Sequence, residues 1–144
     1  MKTEEIIALL PYTEPFLFVN EIEEVTEQYI KGTYIFKEES YFYKGHFKDF
    51  PVTPGVILTE CMAQIGLVCL GIYLLRDKTS LRTMQVAFTN ADVSFLKPVY
   101  PNEKVTVISE VDYFRFNKLK CHVKLYNQAN ELVCQGKLAG VFKV

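Results

Sequence analysis

Residues 56–75, VILTECMAQIGLVCLGIYLL, form a long apolar stretch of this sequence. At about 1.5 Å per residue, a helix of this length could cross a bilayer. However, Glu60 and Gln64 lie inside it, and a carboxylate at the centre of a membrane helix costs roughly 2.5–3.5 kcal/mol. Two internal glycines and the lack of flanking basic clusters also argue against a span. We therefore expect a fully buried helix in a globular core, and no membrane association.

The residues around this stretch predict where the helix begins and which elements flank it. We expect it to run from about Pro54 to Arg76, with Thr53 as the N-cap and Pro54 at the first helical position, where its missing N–H costs nothing. Thr3 is expected to cap a short N-terminal helix that ends at Pro11. Runs rich in β-branched and aromatic residues predict six strands, at 16–24, 29–36, 84–96, 104–113, 115–126 and 132–144.

The strands are joined mostly by short turns, and this predicts how they pair. Short connections favour antiparallel pairing, because parallel pairing needs crossovers of a dozen or more residues. A helix that is apolar nearly all round must be wrapped by its partners. The sequence therefore predicts an α+β fold in a single domain, 1–144, with a long central helix wrapped by a curved antiparallel sheet of about six strands.

Composition and charge narrow the classes of partner and compartment. Lys and Arg total 16 against 17 Asp and Glu, a balance that provides no basic field for nucleic acid or anionic lipid. The N-terminus has acidic residues and a proline where a signal peptide needs an apolar run. The four cysteines lie in apolar runs without metal-ligand spacing. We expect a cytoplasmic protein with free thiols, and no metal or cofactor.

Glu60 is the one acidic or basic residue between Pro54 and Leu75. A carboxyl group in such a setting must be hydrogen-bonded, protonated or facing a cavity. Gln64 lies one turn later on the same helical face and could hold it. Two interpretations stay open on residue type alone: a carboxylic acid placed to donate a proton, or a glutamate near the helix start that points into solvent.

His46 precedes a proline-rich turn that leads directly into the N-terminus of this helix. Free backbone N–H groups at a helix N-terminus can stabilise developing negative charge, and Gly55 would let a substrate carbonyl approach closely. A histidine among aromatic residues can also be a simple packing residue. His122, in contrast, alternates with apolar neighbours and should face water.

Residues 45–64, GHFKDFPVTPGVILTECMAQ, resemble the signature GHFPGxPVxPGVLxxEAxAQ of bacterial 3-hydroxyacyl-acyl-carrier-protein dehydratases of the FabZ type. Residues 10–11 and 15–19 resemble the LPHRxPFLLVD segment of that family. Residues 93–101 resemble its later VxFRRPVxPGD segment. The resemblance covers nearly the whole chain in order, and it implies the hotdog fold, which is the arrangement expected above.

The resemblance implies a role for each candidate residue. His46 would be the catalytic base and Glu60 the catalytic acid, while the N–H of Gly55 would polarise the thioester carbonyl. The carbonyl of Val52 would orient the His46 ring, and Gln64 would hold Glu60. The substrate would be a 3-hydroxyacyl group on acyl carrier protein, and the product a trans-2-enoyl thioester, in fatty-acid or related lipid biosynthesis. A homodimer, or a hexamer built as a trimer of dimers, would combine His46 of one subunit with Glu60 of the other.

Three departures from the family pattern and three alternatives remain. Lys48-Asp49 replaces Pro-Gly, Tyr12-Thr13 replaces His-Arg, and Asn102 replaces Gly; together they suggest a specialised branch of the family.

A hotdog acyl-thioesterase would use the helix carboxylate without His46. A non-catalytic subunit that binds acyl carrier protein would have lost turnover. A hydratase of the other hotdog branch usually shows Asp-x4-His, and Tyr41 at the corresponding position argues against it.

Overall fold

One antiparallel sheet of six strands forms the larger part of the computed structural model, which describes residues 1–78 and 80–144. The order of strands across the sheet is β1-β2-β4-β5-β6-β3, and each neighbouring pair is antiparallel. The prediction of six antiparallel strands is confirmed. The strands are β1 (Glu21–Val25), β2 (Tyr29–Ile35), β3 (Gln85–Phe95), β4 (Lys104–Arg115), β5 (Lys118–Tyr126) and β6 (Leu132–Lys143).

Short turns join the three consecutive strands β4, β5 and β6. Phe116 and Asn117 connect β4 to β5 with φ values of 51° and 59°, the left-handed conformation that fits a two-residue hairpin to the twist of its strands. Asn130, in the turn before β6, has a φ of 62°. Asparagine tolerates this conformation better than most residues.

The central helix consists of three consecutive segments and lies against this sheet. These are α2 (Gly55–Ala63), a π-helical turn (Gln64–Cys69) and α3 (Leu70–Leu74); the shorter α1 (Thr3–Ala8) lies at the N-terminus. The helix contacts four of the strands, β2, β4, β5 and β6. A central helix wrapped by one antiparallel sheet is the hotdog fold, as the sequence predicts.

Small residues bring the helix close to the sheet. A side-chain carbon on Gly66 would come within 2.9 Å of the Val123 side chain, and the Ser109 hydroxyl donates to the Gly66 carbonyl at 2.8 Å. A side-chain carbon on Gly71 would overlap the ring of Phe142. Although residues 55–74 are long and apolar enough to cross a membrane, 78% of the most apolar part of this helix is buried inside the protein. The expectation of a buried core helix is therefore confirmed.

The structure corrects three details of the prediction. The central helix begins at Gly55 and has no side-chain cap. Thr53 does not cap it, because its hydroxyl pairs with the Tyr43 hydroxyl at 2.6 Å and its N–H donates to the Val99 carbonyl. Thr3 lies inside α1 and forms no capping bond. The first strand begins at Glu21, because the residues expected to start it bind the central helix, as described below.

Strand β3 forms one edge of the sheet and is unusually exposed. Nearly all of its 11 residues are exposed to solvent, including Phe88 and Phe95 at 46% and 50%. Its pairing with β6 shifts register between Phe88 and Asn90. A long edge strand carrying apolar side chains is a surface that proteins normally cover or pair.

Candidate active site

Backbone hydrogen bonds fix the conformation of the loop that carries His46. The loop follows a short 3₁₀ segment, Tyr41–Lys44, and the N–H of His46 donates to the Phe42 carbonyl. The N–H of Val52 then donates to the His46 carbonyl at 2.9 Å. The turn between them is therefore closed at its base, and this fixes the position from which the His46 side chain projects.

The imidazole of His46 is oriented by the main chain of the same turn. Its Nδ1 lies 2.8 Å from the Val52 carbonyl oxygen. Because a carbonyl oxygen accepts only, Nδ1 carries the hydrogen and Nε2 of the neutral ring has a free lone pair. The ring also stacks on Phe47, with centroids 4.1 Å apart. His46 is half-buried, so Nε2 can act as a base towards a bound substrate.

The N-terminus of α2 supplies hydrogen-bond donors near this loop. The first helical bonds are formed by Ile57 and Leu58, which both donate to the Pro54 carbonyl. Among the described residues, the N–H of Gly55 has no acceptor. A side-chain carbon at Gly55 would come within 3.2 Å of the Phe95 ring, so the ring packs closely against this glycine. Donors of this kind can stabilise an oxyanion.

Glu60 and Gln64 meet one turn further along the helix. Nε2 of Gln64 donates to Oε1 of Glu60 at 3.1 Å and to the Phe16 carbonyl at 3.1 Å. Oε1 of Gln64 accepts from the Phe18 N–H at 2.7 Å. Gln64 is fully buried and Glu60 is half-buried. The carboxyl group of Glu60 is therefore hydrogen-bonded, and it reaches the surface of a cavity.

The cavity at Glu60 has a volume of about 90 Å³. Its walls are mostly apolar and come from the central helix, strand β3 and the N-terminal segment. The lining residues are Tyr12, Glu60, Ala63, Leu67, Val68, Val86 and Phe88. His46 is not among these lining residues.

Tyr12 belongs to this cavity, although we did not select it from the sequence as a candidate site residue. Burial, together with the charge of Glu60, raises its pKa to about 12, so its hydroxyl stays protonated at neutral pH. The departure of Tyr12 from the FabZ-type pattern was the one available signal. It did not indicate a position beside Glu60, because 47 residues separate the two in sequence.

The described residues contain no group of three or more His, Cys, Asp or Glu side chains that could hold a metal ion. Cys61, Cys69, Cys121 and Cys134 are buried free thiols. Burial raises the pKa of each thiol, to about 12 for Cys121 and Cys134. A buried thiol that keeps its proton is a poor nucleophile.

Solved structures similar to this chain share its fold. A thioesterase from Haemophilus influenzae superposes with a TM-score of 0.72 at 18% identity, over 99% of this chain and 91% of its own. A hypothetical thioesterase from Streptococcus pneumoniae, solved with coenzyme A, gives a TM-score of 0.62 at 15% identity, over 85% and 84%. At such low identities these likenesses support the fold alone.

Proteins found by sequence comparison have a higher identity to this chain than these solved structures. The 3-hydroxyacyl-[acyl-carrier-protein] dehydratase FabZ of Nitratidesulfovibrio vulgaris is 34% identical over 94% of this chain and 82% of its own length. The enzyme of the same name from Petrotoga mobilis is 33% identical over 93% and 91%. Residues 10–139 match the family model of the FabA-like domain. This chain belongs to the FabA-like family.

Proposed function

We propose that this protein is a hydro-lyase that removes water from a 3-hydroxyacyl thioester carried by acyl carrier protein, forming a trans-2-enoyl thioester. The observation that carries the proposal is that the chain holds two groups suited to this reaction: the His46 imidazole, oriented by the Val52 carbonyl, and the Glu60 carboxyl group, bound by Gln64 at the wall of a largely apolar cavity. The FabA-like family and the dehydratase relatives support the same reaction.

The reaction balances without a cofactor. Nε2 of His46 takes a proton from C2, and the C2–H electron pair becomes the C2=C3 double bond. The C3–O bond breaks, and the departing oxygen takes a proton from Glu60 and leaves as water. The Gly55 N–H would stabilise negative charge on the thioester oxygen during proton removal. Each positioned proton transfer is worth about 10²–10⁴-fold in rate.

Two subunits would complete the site. His46 does not line the Glu60 cavity of its own chain, and this supports a site in which a second chain supplies the base. Strand β3 is the surface best suited to that contact, since it is a long exposed edge and its Val86 and Phe88 also line the cavity. The proposal is therefore a homodimer with two composite sites, alone or assembled into a hexamer. Four free thiols fit a cytoplasmic location.

The test is to incubate the protein with acyl carrier protein that bears 3-hydroxyacyl groups of several lengths. Mass spectrometry should show loss of one water from the acyl group, with no release of free carrier thiol. Glu60→Gln should keep the fold and lose at least about 10²-fold in turnover, because the amide cannot deliver the proton. Thiol release without enoyl product would indicate a thioesterase. Turnover in Glu60→Gln equal to that of the original protein would exclude Glu60 as the acid.

A further inference from the structure

The Glu60 cavity has two polar side chains in an otherwise apolar wall. Ala63, Leu67, Val68, Val86 and Phe88 contribute hydrocarbon surface. The carboxyl group of Glu60 and the hydroxyl of Tyr12 are the groups that could bind a polar atom of a ligand in this cavity. In pockets of this kind, a few convergent polar groups fix the orientation of the ligand.

The two polar groups lie in the same cavity but are not hydrogen-bonded to each other. Both side chains line the same cavity. Burial raises the pKa of Tyr12 most, and the negative charge of Glu60 raises it further. Among the described residues, however, the Tyr12 hydroxyl forms no hydrogen bond to Glu60 or to another protein group. The hydroxyl is not fully enclosed either, because no buried polar atom lacks a partner in this part of the protein.

Glu60 also has a carboxyl oxygen that is free to form a hydrogen bond with a ligand. Gln64 occupies its Oε1, and Oε2 has no partner among the described residues. A carboxyl oxygen and a phenolic hydroxyl, both unpaired and both on residues that line one cavity, can bind the same small polar group. The phenol donates a hydrogen bond to it, and the carboxyl group accepts one from it or, when protonated, donates one to it. A secondary alcohol has this capacity, and the saturated or unsaturated carbon that replaces it does not.

We propose that Tyr12 binds the 3-hydroxyl group of the substrate together with Glu60. The proposal rests on the proposed function, because it assumes a 3-hydroxyacyl ligand in this cavity. The Tyr12 hydroxyl donates to the C3 oxygen, while Glu60 faces the same oxygen with its proton. Tyr12 neither gains nor loses a proton in the reaction. It positions the leaving oxygen and becomes a better partner as that oxygen accumulates negative charge.

This arrangement makes Tyr12 a residue that discriminates between acyl groups. A 3-hydroxyacyl chain gains a hydrogen bond from Tyr12, whereas a saturated chain of the same length gains nothing. The trans-2-enoyl product also lacks the C3 oxygen, so it loses this contact when water departs. Removing the Tyr12 hydroxyl should therefore weaken the binding of the 3-hydroxyacyl ligand. The affinities for the saturated and the enoyl ligands should not change.

The experiment measures binding to Glu60→Gln and to the double variant Glu60→Gln/Tyr12→Phe, so that turnover does not interfere. The ligands are acyl carrier proteins loaded with a 3-hydroxyacyl group or with the saturated acyl group of equal length. We expect the added Tyr12→Phe change to weaken binding of the 3-hydroxyacyl form by about 3- to 10-fold, the range of one neutral hydrogen bond. Binding of the saturated form should not change.

Tyr34→Phe in the same background is the matched control. Tyr34 is also buried with a pKa raised to about 12, but it does not line the Glu60 cavity. It should leave both affinities unchanged. Equal weakening of both ligands by Tyr12→Phe, or no weakening of either, would overturn the role of Tyr12. Because the readout is binding, it stands apart from the dehydration assay: an inactive original protein would refute the proposed function without deciding this result.

Discussion

Gln64 can bind Glu60 in one orientation only, with its amide nitrogen towards the carboxyl group. The Phe18 N–H donates to Oε1 of Gln64 at 2.7 Å, which requires the amide oxygen at that end. Nε2 is then left to donate to Oε1 of Glu60. Since the carbonyl oxygen of a carboxylic acid is the better acceptor, a proton on Glu60 is placed on Oε2, away from Gln64.

Gln64→Leu should therefore lower both stability and turnover. The change leaves the buried Phe18 N–H without an acceptor, at about 1–3 kcal/mol, and removes a hydrogen bond to the part-buried Phe16 carbonyl. It also removes the donor that orients Glu60. We expect the urea midpoint to fall and dehydration to decrease at a urea concentration where the variant is fully folded. Gln135→Leu, on the half-exposed face of β6, should change neither quantity, and equal effects of the two variants would contradict this role for Gln64.

His46→Ala should lose about 10²–10⁴-fold in turnover. It should lose little stability, because the ring is half-buried, its protein hydrogen bond is to the Val52 carbonyl, and the main-chain hydrogen bonds of the loop do not depend on the ring. The measurement is initial dehydration rate beside a thermal unfolding curve. His122→Ala is the control, since His122 lies half-exposed on strand β5 and away from the Glu60 cavity. An unfolded His46→Ala protein, or one with full turnover, would show that His46 is structural.

Mixing inactive His46→Ala and Glu60→Gln chains should restore activity if the site is shared between subunits. Random exchange places about half of the chains in mixed dimers, and each mixed dimer contains one intact site of two. We therefore expect about a quarter of the original activity. Exchange should be verified with differently tagged chains. No recovery despite exchange would mean that both residues act within one chain.

Gly136→Ala should destabilise the protein by about 1–3 kcal/mol, the usual cost of overpacking. A side-chain carbon at Gly136 would overlap the carbonyl oxygen of Asp92 on the paired strand β3. Gly45→Ala is the matched control, because a carbon there would meet nothing within 4 Å. Urea unfolding of both variants checks this, and a Gly136→Ala midpoint equal to that of Gly45→Ala would refute it.

Stability should fall as the pH rises above about 9. Burial raises the pKa of the Cys121 and Cys134 thiols from 9.0 to about 12. In the interval between these values the native state holds more protons than the unfolded state, so the free energy of unfolding decreases with pH, by up to about 1.4 kcal/mol per unit for each thiol. Urea unfolding at several pH values tests this. A variant carrying Cys121→Ala and Cys134→Ala should show a flatter decrease, and an unchanged slope would contradict the prediction.

The sequence predicted the helix and the six strands well, because their apolar patterns reflect burial. It could not predict the π-helical turn at Gln64–Cys69, since an apolar segment looks the same with either hydrogen-bond spacing. Threonine is a good N-cap residue, and the sequence therefore predicts Thr53 as the cap. In the fold its hydroxyl forms a hydrogen bond with the Tyr43 hydroxyl instead. The local sequence does not show that such a partner is available.

The site was predicted in part. The contact between Gln64 and Glu60 followed from helical spacing, and the geometry of His46 and Val52 agrees with the expected hydrogen bond. The roles of these residues in a reaction stay predictions. Tyr12 could not be found from the sequence alone, because its place beside Glu60 depends on how the N-terminal segment packs across the central helix.

That packing has a consequence for how the sequence can vary. Gln64 is held by the Phe18 N–H and the Phe16 carbonyl, which are main-chain groups that any residue other than proline provides at position 18, and any residue at position 16. The orientation of Glu60 therefore places no demand on the side chains at these two positions beyond fitting their surroundings. In a saturation mutagenesis library selected for activity, positions 60 and 64 should accept few residues. Position 16, whose side chain is 40% exposed, should accept many.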